Sequence, residues 1–405
     1  MANRQLTADI IAKAAVTILD NELVMAKKVF RGYEEDLSKK VNGYEVGETI
    51  SIRKPADYTV RDGAVASAQD VVEGKTTLTI DKRKGVDFKF TSQELTLDIK
   101  DLAERAIKPA MIQLANQIDV DLHALYKDVP NWAGTPGQTI NSFADFAKAP
   151  QLLDEYAVPQ SDRCAVLSPA DHWGLVGSQT SLFTDTIVKP AYRKGNIGMI
   201  GNVDTYMTQN VATHTTGSDV TGTVNQSITT STITYDAIKD TNQQTITVAN
   251  VSLNAGDVIS IADVNAVNPV TKADLGFAKQ FTVVSYSSNS VVISPAMVWS
   301  GAHQNVAVAS GTSDLNTKAI TSVQTAAGSY RTNMVFHKNA FALVTVPLIS
   351  PPGATEVGRQ SYKGTSVRVI PVYDGINDHS MWRLDVLYGV KTVDPRLATR
   401  LSGTS

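Results

Sequence analysis

Residues 103–126, AERAIKPAMIQLANQIDVDLHALY, read as one long amphipathic helix. Apolar residues at positions 103, 107, 110, 111, 114, 115, 118, 122 and 125 keep a single stripe, while Glu104, Arg105, Lys108, Gln113, Asn116, Gln117, Asp119 and Asp121 fill the rest of the surface. With the lead-in from Gln93, such a helix extends for about 50 Å at 1.5 Å per residue. Pro109 either kinks it or begins a second helix at its first turn, where the missing N–H costs nothing. Asp119 and Asp121 read as part of a solvated face. A helix of this length suits a strut that holds two distant parts at a fixed separation.

Working outward, residues 6–30 place Leu6, Ile10, Ala14, Ile18 and Val29 at helical intervals, with Thr7 as an N-cap: an amphipathic N-terminal arm. After Gly43 the period changes to two. Alternating runs occur at residues 49–52, at 77–80, and at Val86, Phe88 and Phe90, the last two runs being joined by the charged turn Asp81-Lys82-Arg83-Lys84-Gly85. Residues 55–74 are polar and small with few large apolar side chains. They form either a solvated hairpin loop or a projecting loop that packs on another subunit. Residues 164–167 predict a buried strand, and Ser168-Pro169 an N-cap and first-turn proline. Between Gln209 and Gly311 there is neither arginine nor glutamate; Thr, Ser, Val and Asn dominate short alternating runs separated by Asn-Ala-Gly and Ser-Ser-Asn turns. That pattern predicts a small all-β barrel or sandwich inserted into an αβ host. The chain closes on Trp382, Leu384, Val386, Tyr388 and Val390 along one strand face, ended by Asp394-Pro395.

At 405 residues two or more domains are expected. Hydrophobic residues are 42% and charged residues 19%, and no apolar run approaches the roughly 18 residues of a membrane span. The N-terminus carries Asp9 and Lys13 where a secretion signal is uniformly apolar, so synthesis in the cytoplasm is expected. A single cysteine, Cys164, excludes an intrachain disulfide framework. A net charge of −3 lacks the basic footprint of sequence-independent DNA binding.

No catalytic, cofactor-binding or metal site emerges. His123, His172, His214, His303, His337 and His379 are scattered without metal-ligand spacing. Neither a GxSxG elbow nor a Walker A motif is present. The Gly195–Gly201 run has the wrong spacing for a phosphate loop, and Asp263, Asn265 and Asn268 lack the glycine and terminal glutamate of a calcium loop. Neither enzyme chemistry nor a cofactor is therefore expected. The rival from another class is a β-rich surface or carbohydrate-binding protein, which accounts for the Thr/Ser-rich module alone.

The order of elements carries more than any motif. ISIRKPADYTVRDGA before the loop, VDFKFTSQELTLDI and LANQIDVDLHALYKD around the helix, NMVFHKNAFALVTVPL after the β module and WRLDVLYGVKTVDPRLA at the close resemble the tailed-phage coat family typified by the phage P22 coat protein. The resemblance implies an α+β, HK97-like capsid fold with an inserted small all-β barrel. It places an N-arm at 1–45, an E-loop β-hairpin region at 46–91, a spine helix and P-domain at 92–139, an A-domain at 140–207 and 315–380, the insertion domain at 208–314, and a closing P-domain strand and tail at 381–405. It implies a major capsid protein that self-assembles through hexamers and pentamers into an icosahedral shell around packaged double-stranded DNA, held by non-specific confinement. A scaffolding protein and a portal at one vertex are the implied partners, no membrane is involved, and the location is the virion capsid, made in the host bacterial cytoplasm. Tyr58, Arg61, Asp62, Lys82, Arg83, Lys239, Asp240 and Asn242 are then the candidates for inter-subunit contact, with residues 236–243 as the loop that reaches an adjacent capsomer and 264–279 facing the host domain.

Overall fold

The computed structural model describes residues 8–33, 49–66, 68–91, 106–179, 198–229, 233–309, 314–351 and 357–404. The chain divides into two compact units. The first comprises Met1–Ile50, Thr77–Leu122 and Phe341–Lys391; the second comprises Ser51–Thr76, His123–Ala340 and Thr392–Ser405.

In the first unit, α1 (Ala8–Glu22) buries Ile11, Ala12, Ala15, Val16 and Leu19, the i, i+4 stripe that an amphipathic helix needs. It packs on a five-stranded sheet of β3 (Lys82–Thr91), β18 (Phe341–Val346), β19 (Gly358–Tyr362), β20 (Thr365–Asp374) and β21 (His379–Thr392), in the order β18-β21-β20-β19 with β3 also paired to β21. The approach is close: a Cβ on Gly358 would lie 2.2 Å from the Ala8 carbonyl oxygen, so only glycine fits there. Two expectations are corrected in this unit. The first helix stops at Glu22 instead of reaching Phe30, because the N–H groups of Val24 and Ala26 donate to the Asp119 carboxylate at 2.8 and 3.1 Å; a short 3-10 turn, Met25–Lys27, follows. And the charged run 81–85 is not a hairpin turn. Lys82 to Gly85 lie inside β3, paired antiparallel with residues 385–388 of β21, because Arg83 meets Asp385 at 3.0 Å and Lys82 meets Asp121 at 3.2 Å.

Cross-strand pairs of opposite charge stabilise such a strand by roughly 0.2–1 kcal/mol each. Asp385 is the hub. It is 2% exposed and accepts from Arg83, Arg368 and Arg383, and although burial alone would raise its pKa, these guanidinium hydrogen bonds hold it below the ordinary carboxylate value.

The helix of residues 103–126 appears as α2 (Lys108–His123), about 24 Å by rise, followed by the 3-10 segment Ala124–Asp128. Residues 92–105, the predicted lead-in, lie outside the described residues. Pro109 is the second residue of this α-helix, which follows directly on a π-helical Ala106-Ile107. Ile107, Ala110, Met111, Leu114, Ala115, Ile118 and Leu122 are buried as the stripe requires. Asp119 and Asp121 are not solvated, however. Asp119 is 3% exposed and caps the Met25 turn, burial raising its pKa, and Asp121 accepts from the Tyr388 hydroxyl at 2.8 Å.

The second unit has two sheets. A six-stranded sheet runs β4-β22-β17-β5-β7-β6, made of β4 (Trp132–Ala133), β5 (Arg163–Leu167), β6 (Met199–Ile200), β7 (Val203–Met207), β17 (Asn333–His337) and β22 (Ala398–Leu401). Helix α3 (Phe143–Glu155) packs Phe146, Ala149 and Leu153 against Ala165, Leu167, Val335 and Leu401 of that sheet. Helix α4 (Pro169–Gln179) begins as predicted, the Ser168 hydroxyl accepting from the Asp171 N–H at 3.3 Å.

The second sheet is a closed barrel of six strands: β9 (Gly222–Val224), β10 (Gln244–Ala249), β11 (Val258–Val267), β12 (Asp274–Ser287), β13 (Ser290–Ser294) and β15 (Ala319–Ser322). The order is β12-β13-β10-β9-β15-β11, with β11 returning to β12, and β14 (Val306–Val308) lies on the outer edge of β11. Val224, Ile246, Val248, Ile259, Ile261, Phe281, Val283, Val291, Ile293 and Ile320 fill the interior. The β12–β13 turn places Ser288 and Asn289 at φ 48° and 64°, the double positive φ of the tight hairpin. Closure takes its sixth strand from 319–322, past the compositional boundary at 314. A short pair, β8 (Thr213–Thr215) with β16 (Ser329–Arg331), stands where the chain enters and leaves the barrel.

Candidate functional site

A ribbon of β1 (Thr49–Arg53) and β2 (Lys75–Thr79) carries residues 54–74. This loop leaves its apolar side chains in solvent: Val60 is 100% exposed, Val65 85%, Val71 64% and Tyr58 58%. Arg61 bends back on the loop, donating to the carbonyls of Gly63 and Val65, and Asp62 is exposed. Gln69 ties the two legs through the Thr59 N–H at 2.9 Å and the Thr59 carbonyl at 2.6 Å. Val60 stands wholly in water and Val65 and Val71 largely so, an exposed apolar grouping on a projecting loop.

The loop's neck is held by the barrel. Lys54 N–H donates to the Gly74 carbonyl at 2.7 Å, closing the loop on itself. The Lys54 ammonium donates to the carbonyls of Lys239 and Asp240 at 3.4 and 3.1 Å, and the Lys75 N–H donates to the Asp240 carboxylate at 2.9 Å. Gly74 lies so close that a Cβ there would come within 2.2 Å of the Lys239 carbonyl oxygen. Asp240, Lys239 and Asn242 belong to the turn that follows α5 (Tyr235–Ile238), a single helical turn. Asn242 takes φ 50°, its N–H donates to the Ile238 carbonyl at 2.7 Å, and its own carbonyl accepts from the Ala296 N–H at 3.1 Å. The Lys239 ammonium pairs with Asp236 at 2.8 Å, which raises its pKa.

Beside this neck, the Asp57 carboxylate receives His303 Nδ1 at 3.2 Å and faces Arg396 at 3.7 Å. The His303 ring stacks on Tyr235 with centroids 3.6 Å apart and 15° between planes, and burial holds its pKa below the ordinary imidazole value. Arg396 forks onto Asp394 at 2.9 Å within the turn Pro395–Leu397, and Asp394 keeps the guanidinium charged.

Of the eight sequence candidates, the structure therefore gathers Asp240 and Lys239 at the loop neck, puts Tyr58, Arg61 and Asp62 on the projecting loop, and uses Lys82 and Arg83 in ion pairs within β3 and its neighbours. Asp57, Lys54, His303, Tyr235 and Arg396 escaped the sequence reading. Nothing local marks the neck contacts, since Lys54 meets Lys239 and Asp240, and Asp57 meets His303 and Arg396, all far along the chain.

One buried constellation has the outline of catalytic machinery. Tyr126 Oη lies 3.0 Å from His214 Nδ1, and His214 Nε2 lies 2.7 Å from the Asp257 carboxylate. Tyr126 is 4% exposed, His214 2% and Asp257 0%, so no substrate reaches the hydroxyl, and burial raises the Tyr126 pKa further from use. Arg400 completes the network. Its guanidinium lies 5.2 Å from the Tyr126 ring and 5.3 Å from the Trp132 ring, and donates to the Gly256 carbonyl at 2.7 Å. The group ties the entry of the barrel to the last strand of the six-stranded sheet.

A second tie lies on the ribbon 264–279. Phe277 meets Tyr156 edge to face at 6.3 Å, Asn268 donates to the Glu155 carbonyl at 2.8 Å, and the Lys279 ammonium lies 4.5 Å over the Tyr156 ring. Burial lowers the Lys279 pKa to about 7. A cleft of about 530 Å³ beside α3, lined by Phe143, Phe146, Ala147 and Pro150, ends at Asp154, which is paired with Arg163 at 2.6 Å. Among the described residues, no group of three or more His, Cys, Asp or Glu side chains is placed to hold a metal ion.

The comparisons with known proteins agree with a shell subunit. No curated protein matches the chain. Among solved structures the chain is similar to one from Mycobacterium phage Che8 (16% identity, 93% of this chain and 90% of that one, TM-score 0.49). It is also similar to the capsid of Cyanophage P-SCSP1u (11% identity, 89% and 84%, TM-score 0.42) and to a virus-like particle from Pyrococcus furiosus (8% identity, 97% and 98%, TM-score 0.40). The family described as P22 coat protein, gene protein 5, matches residues 1–403. With that match spanning nearly all of its 405 residues, the chain belongs to the P22 coat protein family, the coat proteins that form tailed-phage capsids.

Proposed function

We propose that this coat protein is the major capsid subunit of a tailed phage, assembling through hexamers and pentamers into an icosahedral shell that confines double-stranded DNA. The observation that carries the reading is the loop of residues 54–74, whose Val60, Val65 and Val71 stand in water on the isolated chain and gain burial only against another copy. We assign residues 1–45 as the N-arm, 46–91 as the E-loop region, α2 as part of the spine of a P-domain, the six-stranded sheet as the A-domain, and the barrel, extended to Ser322, as the insertion domain of an HK97-like layout. A net charge of −3 suits a container that confines DNA without gripping it. Scaffolding protein and portal are the proposed assembly partners, and the host cytoplasm the place of synthesis. Tyr58, Arg61 and Asp62 are proposed to meet the neighbouring subunit.

Electron microscopy of the expressed chain after gradient sedimentation, alone and with a candidate scaffolding protein, tests this. Round shells, tubes or sheets with hexameric units are expected. A monomer under both conditions at high concentration overturns the reading.

A further inference from the structure

We infer that the barrel aims the projecting loop: the turn of residues 235–243, the 301–305 turn and the C-terminal turn 394–397 together clasp the loop neck and set its direction before any second copy arrives. The inference rests on the coat reading for its purpose but not for its test. Three independent attachments converge on a neck of few residues. Asp240 takes the Lys75 N–H while its own carbonyl takes the Lys54 ammonium, so one residue grips both legs. Asp57 is held from two sides, by His303 at 3.2 Å and Arg396 at 3.7 Å. The holders are themselves fixed. His303 is stacked on Tyr235, the Lys272 ammonium anchors the carbonyl of Ala302 next to it, and Arg396 is locked by its fork on Asp394.

Above this neck the described bonds are internal to the loop, from Gln69 to Thr59 and from Arg61 to the Gly63 and Val65 carbonyls, and Val60, Val65 and Val71 stay largely exposed. A free loop would sample many directions, and each subunit would lose that freedom again on every contact formed. A clasped loop presents its apolar tip in one direction, so the ordering has already happened when the neighbour docks. Asp57, His303, Asp240 and Arg396 are then positioning residues. Placing Asp240 and His303 on connections of the barrel also gives that module a task inside its own subunit, through the very turn proposed to reach a neighbouring capsomer.

The test compares the wild-type chain with Asp57→Ala, Asp240→Ala and their combination, all unassembled. Two quantities are followed: the rate of limited proteolysis between residues 55 and 73, located by mass spectrometry, and the thermal transition of the chain. Opening the clasp raises the population of cleavable loop, so the double variant is expected to be cut about tenfold faster or more with its thermal transition little changed. Equal cleavage rates overturn the inference. So does faster cleavage that only follows a lowered thermal transition, because that is general unfolding. His303→Phe guards against a double variant that fails to fold. It keeps an aromatic stack on Tyr235 and removes only the bond to Asp57, and an unchanged cleavage rate in it counts against the clasp equally. Wild-type chain that shows a protected loop yet never assembles would sink the coat reading and leave the clasp standing.

Discussion

The barrel and the loop of residues 54–74 belong to the same unit and both carry several valines, yet they solve opposite problems. In the barrel each valine or isoleucine of the inner face has a partner in the same chain, and closing β11 on β12 removes the open edges that invite association. In the loop, Val60 stands fully and Val65 and Val71 largely exposed, and the ties to the rest of the unit lie at the neck. The difference teaches where each part gets its free energy. The barrel buries its apolar face within the chain, and the loop leaves its apolar side chains in solvent.

Three substitutions break or sharpen that contrast. The largest effect is expected from Phe281→Ala inside the barrel, which should cost about 3–5 kcal/mol by emptying a closed core, read as a drop in denaturant midpoint. A loss under about 1 kcal/mol would show that the barrel is not a packed monomeric core.

Next comes Lys279→Met at the joint with α3. The folded chain releases the Lys279 proton near pH 7, whereas an unfolded lysine holds it to 10.5. Between those values the unfolded chain binds the extra proton, so stability rises with pH by up to about 1.4 kcal/mol per unit and is lowest below pH 7, where both states are charged. The methionine variant should lose this slope and gain on the order of 1–4 kcal/mol at neutral pH, as measured by urea titrations at pH 7, 8.5 and 10. A variant that keeps the wild-type slope would move the titration elsewhere.

The smallest effect on the monomer is expected from Val60→Ser at the loop tip: within about 0.5 kcal/mol in denaturation, because nothing is lost from a core. Assembly should nonetheless slow, as followed by light scattering with scaffolding protein. If Val60→Ser instead destabilises the monomer like a core mutation, the contrast between the two regions is wrong.

Much of this was legible in advance because the relevant signals are local. The stripe of α2, the buried strand 163–167 and its Ser168 cap, the turn at Ser288-Asn289 and the inserted β module each announce themselves within a few residues. The failures are all long-range. Residues 81–85 looked like a turn because four charges in a row read as solvent, and their counter-charges sit some three hundred residues on, at Asp385, or across the helix, at Asp121. Asp119 looked exposed for the same reason, until the backbone of Val24 and Ala26 proved to be its partner.

The sequence by itself therefore determined most of the helices and strands and the all-β character of the Thr/Ser-rich module, since periodicity, turn chemistry and composition act over short stretches of chain; the likeness to a phage coat came from resemblance to a known family. Only the tertiary structure decided that β3 pairs with β21, that residues 319–322 close the barrel, and that Asp57 and Asp240 hold the loop neck. Those outcomes depend on where distant charges and backbone groups meet in space, and a lone aspartate carries the same local pattern whether it faces water, a guanidinium or another segment's N–H.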